Sequence, residues 1–201
     1  MPSVVVQDPA AGGWLRFSQP AEIITAERLH QVGPAVQRLA AGVAAGWHAA
    51  GWLSYEAAPA FDAALRTHPA DGALPLVWFG LFPAPEVIPP PAPGAGGYSL
   101  GAWTPTVTEA GYHAALVRIK DHIARGDTYQ VNYTYRLRAP FAGDPWALFV
   151  DLAAAQRAAH GAYVDTGRWA ACSASPELFF QLEGRRLTAR PMKGTAARGR
   201  T

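Results

Sequence analysis

Residues 160–190 read HGAYVDTGRWAACSASPELFFQLEGRRLTAR, and three short apolar runs within them are separated by glycine, proline and polar residues. The runs GAYVD, RWAACSA and LFFQLEG each have the length and composition of a short strand. No helical segment separates one run from the next, so neighbouring strands are expected to pair antiparallel. The pattern predicts an α+β fold of antiparallel sheets with flanking helices, not a parallel βαβ array.

Upstream of this stretch, strand-like runs surround one long helical segment. From Ala26 to about Gly46 the apolar residues recur at helical spacing, and Pro34 predicts that the helix begins or bends there. The predicted strands are SVVVQD (3–8), WLRFSQP (14–20), AAGWLSYEAA (49–58) and PLVWFGLF (75–82).

Residues 83–97, PAPEVIPPPAPGAGG, have no periodicity. Prolines lack a backbone donor and glycines add conformational entropy, so this segment is not expected to join a sheet or a helix. We interpret it as a linker between an N-terminal α+β region, residues 1–82, and a second region, residues 98–201. A long surface loop inside one domain is the alternative.

The second region begins with a helix and an alternating stretch. Thr108 can cap a helix with one apolar stripe that ends at Gly126. Residues 127–139, DTYQVNYTYRLRA, then alternate between aromatic or apolar and polar side chains, which predicts a long antiparallel strand. Asp144 and Pro145 stand where a cap and a first-turn proline start another helix.

Composition limits the possible partners of the chain. Its 201 residues carry a net charge of +2 and are 50% hydrophobic, which fits a globular protein without a nucleic-acid-binding surface. Cys172 is the only cysteine, so neither an internal disulfide nor a cysteine metal cluster can form. No signal segment or membrane-spanning apolar run occurs in the sequence, so we expect a cytoplasmic location and no membrane partner. P-loop, dinucleotide-glycine and HExxH motifs are also missing.

The segment RPMKGTAARGRT, residues 190–201, holds the strongest candidate for chemistry. Lys193 is flanked by Arg190, Arg198 and Arg200, and these like charges disfavour its protonated form. A free amine is a nucleophile, which makes Lys193 a candidate catalytic residue. Taken alone, the segment is more typical of a turn after a strand with a solvated lysine.

Three motifs in order give this segment a context: GDTYQVNYTYR, SASPELFF and RPMKGTAARGR. They resemble the QVN strand, the SPE turn and the PIKGT segment of the chorismate-utilising enzymes, most closely the aminodeoxychorismate synthase component I family. GWLSYEAAPAFD and PLVWFGLF are similar to the amino-terminal region of that family. The resemblance implies the first half of that family's fold and an enzyme that converts chorismate and ammonia to 4-amino-4-deoxychorismate, for para-aminobenzoate and folate biosynthesis.

The resemblance implies roles for Lys193 and Gln130. Relatives that make anthranilate, isochorismate or salicylate usually carry alanine at the position of Lys193, whereas lysine is typical of the aminodeoxychorismate enzymes. In that family the lysine amine is proposed to attack C2 of chorismate and expel the C4 hydroxyl, after which ammonia adds at C4. Relatives that add water have a lysine at the position of Gln130, and a neutral glutamine suits ammonia, which needs no general base. Without the family, Gln130 would be a polar residue on a solvated strand face.

The other candidate site residues support binding. The SPE turn supplies Ser175 and Glu177, whose side chains can bond backbone or substrate, although a purely structural turn is an equal alternative. The resemblance also implies that Gly194 and Thr195 lie next to the substrate, and the threonine hydroxyl can donate a hydrogen bond to it.

The resemblance also implies a Mg²⁺ cofactor and an ammonia-supplying glutamine amidotransferase partner. Family members continue beyond the position of Thr201, and their later half holds the acidic Mg²⁺ ligands, so we expect no metal ligands in this chain and consider it an incomplete form. Two other functions remain open from the sequence. One is an anthranilate synthase component I-like enzyme, and the other is an inactive fragment that only binds a ligand or a partner.

Overall fold

The computed structural model describes residues 1–8, 13–70, 72–92, 96–157 and 159–192. The chain divides into two compact units, one formed by Met1–Gly94 with Pro145–Thr201 and the other by Ala95–Asp144. In the described ranges, no helix combines the length and the apolar character needed to cross a membrane.

The elements are numbered in chain order. The helices are α1 (Leu29–Ala44), α2 (Glu109–Ala124) and α3 (Pro145–Gln156), with a 3-10 helix at Tyr55–Ala60. The strands are β1 (Ser3–Asp8), β2 (Gly13–Ser18), β3 (Glu22–Ala26), β4 (His48–Leu53), β5 (Val77–Phe82), β6 (Glu86–Ile88), β7 (Tyr98–Leu100), β8 (Thr104–Pro105), β9 (Leu137–Arg138), β10 (Phe141–Gly143), β11 (His160–Asp165), β12 (Ala170–Ser175), β13 (Leu178–Glu183) and β14 (Arg186–Arg190).

The first unit is built in layers around two antiparallel sheets. One sheet has the strand order β12-β11-β1-β2-β6, and the other has the order β3-β5-β4. Helix α1 packs on the three-stranded sheet, and α3 packs on the five-stranded sheet. Helices and antiparallel sheets therefore occur together, which confirms the α+β prediction.

The valine run of β1 shows why these layers form. Successive side chains of a strand point to opposite faces, so neighbouring apolar residues can serve two cores. Val4 packs with Phe82 between the two sheets, whereas Val5 packs with Phe149 under α3. Both valines are almost fully buried, at 1% and 3% exposure. A continuous apolar run, rather than an alternating one, therefore fits a strand covered on both faces.

Helix α1 begins before its proline, not at it. The side-chain oxygen of Gln31 accepts a hydrogen bond from the backbone N–H of Arg28 at 2.9 Å, which satisfies a donor at the helix start. Pro34 lies inside the helix, so the expectation that the helix might begin there is wrong. Val32 and Leu39 are buried against the three-stranded sheet. This packing offsets the backbone hydrogen bond that the proline removes.

The second unit contains α2 and two short strand pairs, β7 with β10 and β8 with β9. The side chain of Thr108 accepts a hydrogen bond from the backbone N–H of Gly111 at 3.1 Å, so the predicted N-cap is confirmed. Gly126 follows the helix with a φ of 79°, a conformation that glycine adopts without strain. The predicted bounds of this helix are therefore correct.

The long strand predicted at residues 127–139 does not form. Only Leu137–Arg138 is a strand, and its partner is Thr104–Pro105. Tyr129 is 90% exposed, and within the described residues no strand pairs with residues 128–136. The alternating pattern indicates an extended chain with two different faces, but a strand also needs a partner for its backbone groups.

The proline-rich segment also differs from expectation, because Glu86–Ile88 joins the five-stranded sheet beside β2. Ile88 is opposite Trp14 and is 8% exposed, so the segment contributes an apolar side chain to the core under α3. Three consecutive residues without proline are enough for an edge strand. The proposed division of the chain at residues 83–97 stays a prediction.

Candidate functional site

The predicted SPE turn directly follows β12. The hydroxyl of Ser175 donates to the carbonyl oxygen of Glu177 at 3.0 Å, and the N–H of Glu177 lies 3.3 Å from the same hydroxyl. Pro176 between them fixes one backbone dihedral and has no N–H to satisfy. The Ser175 side chain thus bonds the backbone, and the exposed Glu177 carboxylate has no hydrogen-bond or ion-pair partner within the described ranges.

The register of the β13–β14 hairpin places the SPE turn at the end of the hairpin where Arg190 and Pro191 precede the lysine segment. Leu178, directly after Glu177, is the Cα partner of Arg190. An antiparallel pair places the residues that precede one strand beside those that follow the other. Glu177 and Pro191 therefore flank the same end of the hairpin. Lys193, Gly194 and Thr195 lie outside the described residues.

The hairpin contains a bulge next to this end. Its register shifts between the pair Leu178 with Arg190 and the pair Gln181 with Thr188, so β13 has one residue more than β14 there. The bulge contains Phe179 and Phe180, which are 85% and 54% exposed, and their rings make an edge contact with centroids 5.2 Å apart. Bulges redirect side chains and are common beside active sites.

Gln130 lies in the second unit, on the extended segment after α2. The backbone N–H of Gln130 is 3.4 Å from the hydroxyl of Thr128, and this hydroxyl donates to the carbonyl oxygen of Gln130 at 3.0 Å. The amide side chain of Gln130 is exposed and has no hydrogen-bond partner in the part of the chain that the structure describes. It is available to a ligand.

Aromatic contacts hold the extended segment against α2. The Tyr112 ring lies 5.8 Å from the Tyr133 ring and 5.9 Å from the Tyr135 ring. Such ring pairs add to the stability gained by burial alone. Two side chains of the alternating stretch, Tyr133 and Tyr135, therefore pack on the helix, although the stretch is not a strand.

A charged cluster at the end of α2 was not predicted from the sequence. The Asp127 carboxylate oxygen Oδ2 lies 2.8 Å from His122 Nδ1 and accepts from Arg125 Nη2 at 3.0 Å. These hydrogen bonds, from His122 first and then Arg125, hold the pKa of Asp127 below its ordinary value. The available signal was a histidine and an arginine in the last turn before Gly126, followed directly by an acid.

Cys172 is poorly suited to nucleophilic chemistry. Its thiol is half-buried, and burial raises its pKa to about 11. The Sγ atom donates a weak hydrogen bond to the carbonyl oxygen of Pro145 at 3.5 Å. Since the thiolate is the reactive form, burial disfavours Cys172 as a nucleophile.

The potential metal-ligating side chains of the described residues are dispersed. Across residues 1–8, 13–70, 72–92, 96–157 and 159–192, no three His, Cys, Asp or Glu side chains come close enough together to hold an ion. A divalent cation such as Mg²⁺ needs several oxygen ligands. The described residues therefore do not fit a Mg²⁺ site.

Comparison with known proteins relates the chain to one enzyme family. The sequence profile described as chorismate binding enzyme matches residues 84–201. Aminodeoxychorismate synthase component 1 of Salmonella typhimurium is 37% identical over 97 residues, which are 48% of this chain and 21% of the relative. The protein of the same name from Bacillus subtilis is 33% identical over 103 residues, 51% of this chain and 22% of the relative.

A second enzyme of the family matches over a longer stretch. Anthranilate synthase component 1 of Thermus thermophilus is 33% identical over 123 residues, which cover 60% of this chain and 27% of the relative. The matched part of the chain thus spans about a fifth to a quarter of the length of these relatives.

Proposed function

The chain belongs to the chorismate binding enzyme family, and from this premise we propose that the protein is the chorismate-aminating component of an aminodeoxychorismate synthase. It joins ammonia to chorismate and yields 4-amino-4-deoxychorismate for para-aminobenzoate and folate biosynthesis. The observation that carries the proposal is the hairpin register. The pairing of Leu178 with Arg190 brings the SPE turn to the same hairpin end as the approach to Lys193.

Lys193 is the proposed nucleophile. Its free amine attacks C2 of chorismate and forms a C–N bond, both ring double bonds shift, and the C4 hydroxyl leaves as water after taking up a proton. Ammonia then attacks C4, both double bonds shift back, and the bond between C2 and the lysine nitrogen breaks as that nitrogen takes up the proton that the new amine releases. The lysine is regenerated, so the net reaction exchanges a hydroxyl for an amine without any oxidant or reductant.

Gln130 is proposed to contact the substrate as a neutral group. A glutamine side chain donates and accepts hydrogen bonds but does not remove a proton from water. Ammonia carries its own lone pair and needs no such activation. The Gln130 amide is exposed and has no partner among the described residues, which suits this role, and a neutral amide disfavours hydration of chorismate as a competing reaction.

The binding groups proposed beside the nucleophile are Ser175, Glu177, Gly194 and Thr195. Ser175 shapes the turn, Glu177 offers a carboxylate with no partner within the described ranges, and the Thr195 hydroxyl can donate to a substrate oxygen. Mg²⁺ is a proposed cofactor whose ligands lie outside the described residues. A glutamine amidotransferase subunit is the proposed source of ammonia.

An anthranilate synthase activity is the second candidate, because the Thermus thermophilus enzyme matches the longest of the compared stretches. Both reactions add ammonia to chorismate, but only anthranilate formation eliminates pyruvate. The protein should be incubated with chorismate, ammonia and Mg²⁺. We expect 4-amino-4-deoxychorismate without pyruvate. Equal amounts of anthranilate and pyruvate would favour the second candidate, and the absence of both products would contradict both candidates.

A further inference from the structure

The end of α2 holds a carboxylate where the helix disfavours one. The last carbonyl groups of a helix carry a partial negative charge, so an acid beside them is repelled. Asp127 follows Gly126 directly, and its own N–H donates to the carbonyl oxygen of His122 at 3.0 Å. An acid in this place needs compensating partners.

The structure supplies these partners from the last helical turn. Asp127 Oδ2 accepts from Arg125 Nε at 3.2 Å and Arg125 Nη2 at 3.0 Å, and it lies 2.8 Å from His122 Nδ1. The Arg125 group also lies 3.0 Å from His122 Nδ1. A carboxylate only accepts, so His122 Nδ1 donates when it bonds Asp127, and in that tautomer it does not accept from Arg125.

The Asp127 contacts with His122 and Arg125 lie close in the chain to the candidate ligand-binding amide of Gln130. Two residues separate Asp127 from Gln130, and the Thr128 hydroxyl bonds both backbone groups of Gln130. Because residues 128–136 have no strand partner within the described ranges, these local bonds fix the backbone position from which the Gln130 side chain extends. The opposite end of the segment is tied where the Thr106 N–H donates to the Arg136 carbonyl oxygen at 2.9 Å.

We propose that Asp127 is a positioning residue that fixes the Gln130 backbone relative to the end of α2. The inference rests on the proposed function, in which Gln130 contacts chorismate. Asp127 acts through Gln130 and touches no reacting atom itself. Loss of its carboxylate frees the first residues of the segment, so Gln130 is displaced while the helix and the tyrosine contacts remain.

The test is a double-mutant cycle with a matched control. Asp127→Ala should lower kcat/KM for chorismate by about tenfold to a hundredfold, since small misplacements of a binding group have effects of that size. In a Gln130→Ala background the same change should cost less than about twofold, because residues that act together are not additive. Asp121→Asn is the control, as Asp121 is exposed on the same helix and no contact of its carboxylate is found within the described ranges.

Hydrogen exchange gives an independent readout. Amides of residues 126–132 should exchange faster in Asp127→Ala than in Asp121→Asn, and Asp127→Asn, which keeps an acceptor oxygen, should fall between them. Additive losses in the cycle, or equal exchange in Asp127→Ala and the control, would overturn the inference and leave the proposed function intact. An unaltered protein that forms no aminated product would overturn the proposed function, and the inference with it.

Discussion

Leu178 and Arg190 are Cα partners at the open end of the β13–β14 hairpin. The pair joins two motifs that the sequence presents separately, because Leu178 follows the SPE turn and Arg190 precedes the lysine segment. A turn with a purely structural role would not need to lie beside the residues that precede Lys193. The end of the hairpin is therefore where substitutions test the proposed chemistry.

The turn residue Ser175 can be tested against a serine in the same strand. Ser175→Ala removes two hydrogen bonds that shape the turn. Each lost hydrogen bond costs about 1 kcal/mol, so the KM for chorismate should rise by roughly fivefold to thirtyfold. Ser173→Ala, at an exposed position of β12, should leave KM unchanged. Steady-state kinetics measures both, and equal KM values would remove the turn from the binding site.

The core under α3 should depend on Phe149. This side chain is fully buried and contacts the rings of Trp14, Trp146 and Tyr163. Phe149→Ala should lower the free energy of unfolding by about 3–5 kcal/mol. Phe179→Ala, at a position 85% exposed, should change it by less than about 0.5 kcal/mol. Urea unfolding compares the two, and similar losses would contradict the layered core.

Two glycines should respond differently to alanine. A Cβ atom on Gly51 would overlap the backbone of Trp78 and lie 2.7 Å from the Cα atom of Phe79, so Gly51→Ala should destabilise β4 against β5. Gly97 has open space around it, and alanine there should change the free energy of unfolding by less than about 0.5 kcal/mol. Thermal unfolding compares the two, and a stabilised Gly51→Ala would show that this strand pair is wrong.

The thiol of Cys172 should be alkylated slowly at neutral pH, and its reactivity should rise only at high pH. Burial raises its pKa to about 11, above the ordinary value, so the protonated form is favoured in the folded protein. Its alkylation by iodoacetamide should increase about tenfold per pH unit from neutral pH up to about 11. Unfolded protein should already approach its plateau near pH 9. A folded protein with the same profile as the unfolded one would contradict the burial of Cys172.

Most of the fold could be predicted because its elements have local signals. β1 and β5 are continuous apolar runs, and α2 has both its cap and its terminal glycine. The strand prediction for residues 127–139 was wrong because alternation does not reveal a pairing partner, which is a nonlocal feature. Glu86–Ile88 was missed because prolines on both sides conceal three residues able to pair with β2.

The candidate site was predictable only in part. Motif order identified Ser175 and Glu177, whose turn geometry the structure bears out, and Gln130, whose side chain is free within the described residues. The roles of these residues stay predictions. The partnership of His122 with Asp127 escaped the sequence reasoning, because it depends on how the chain leaves the last turn of α2.

The central claim is that Lys193 bonds covalently to chorismate, and intact and peptide mass spectrometry tests it most directly. The protein should be mixed with chorismate and Mg²⁺ without ammonia, and the bound species compared between unaltered protein and Lys193→Ala. We expect the peptide that contains Lys193 to gain the mass of chorismate less one water, and ammonia to remove it, with no adduct on Lys193→Ala. Amination at an ordinary rate by Lys193→Ala, or an adduct on another residue, would contradict the account.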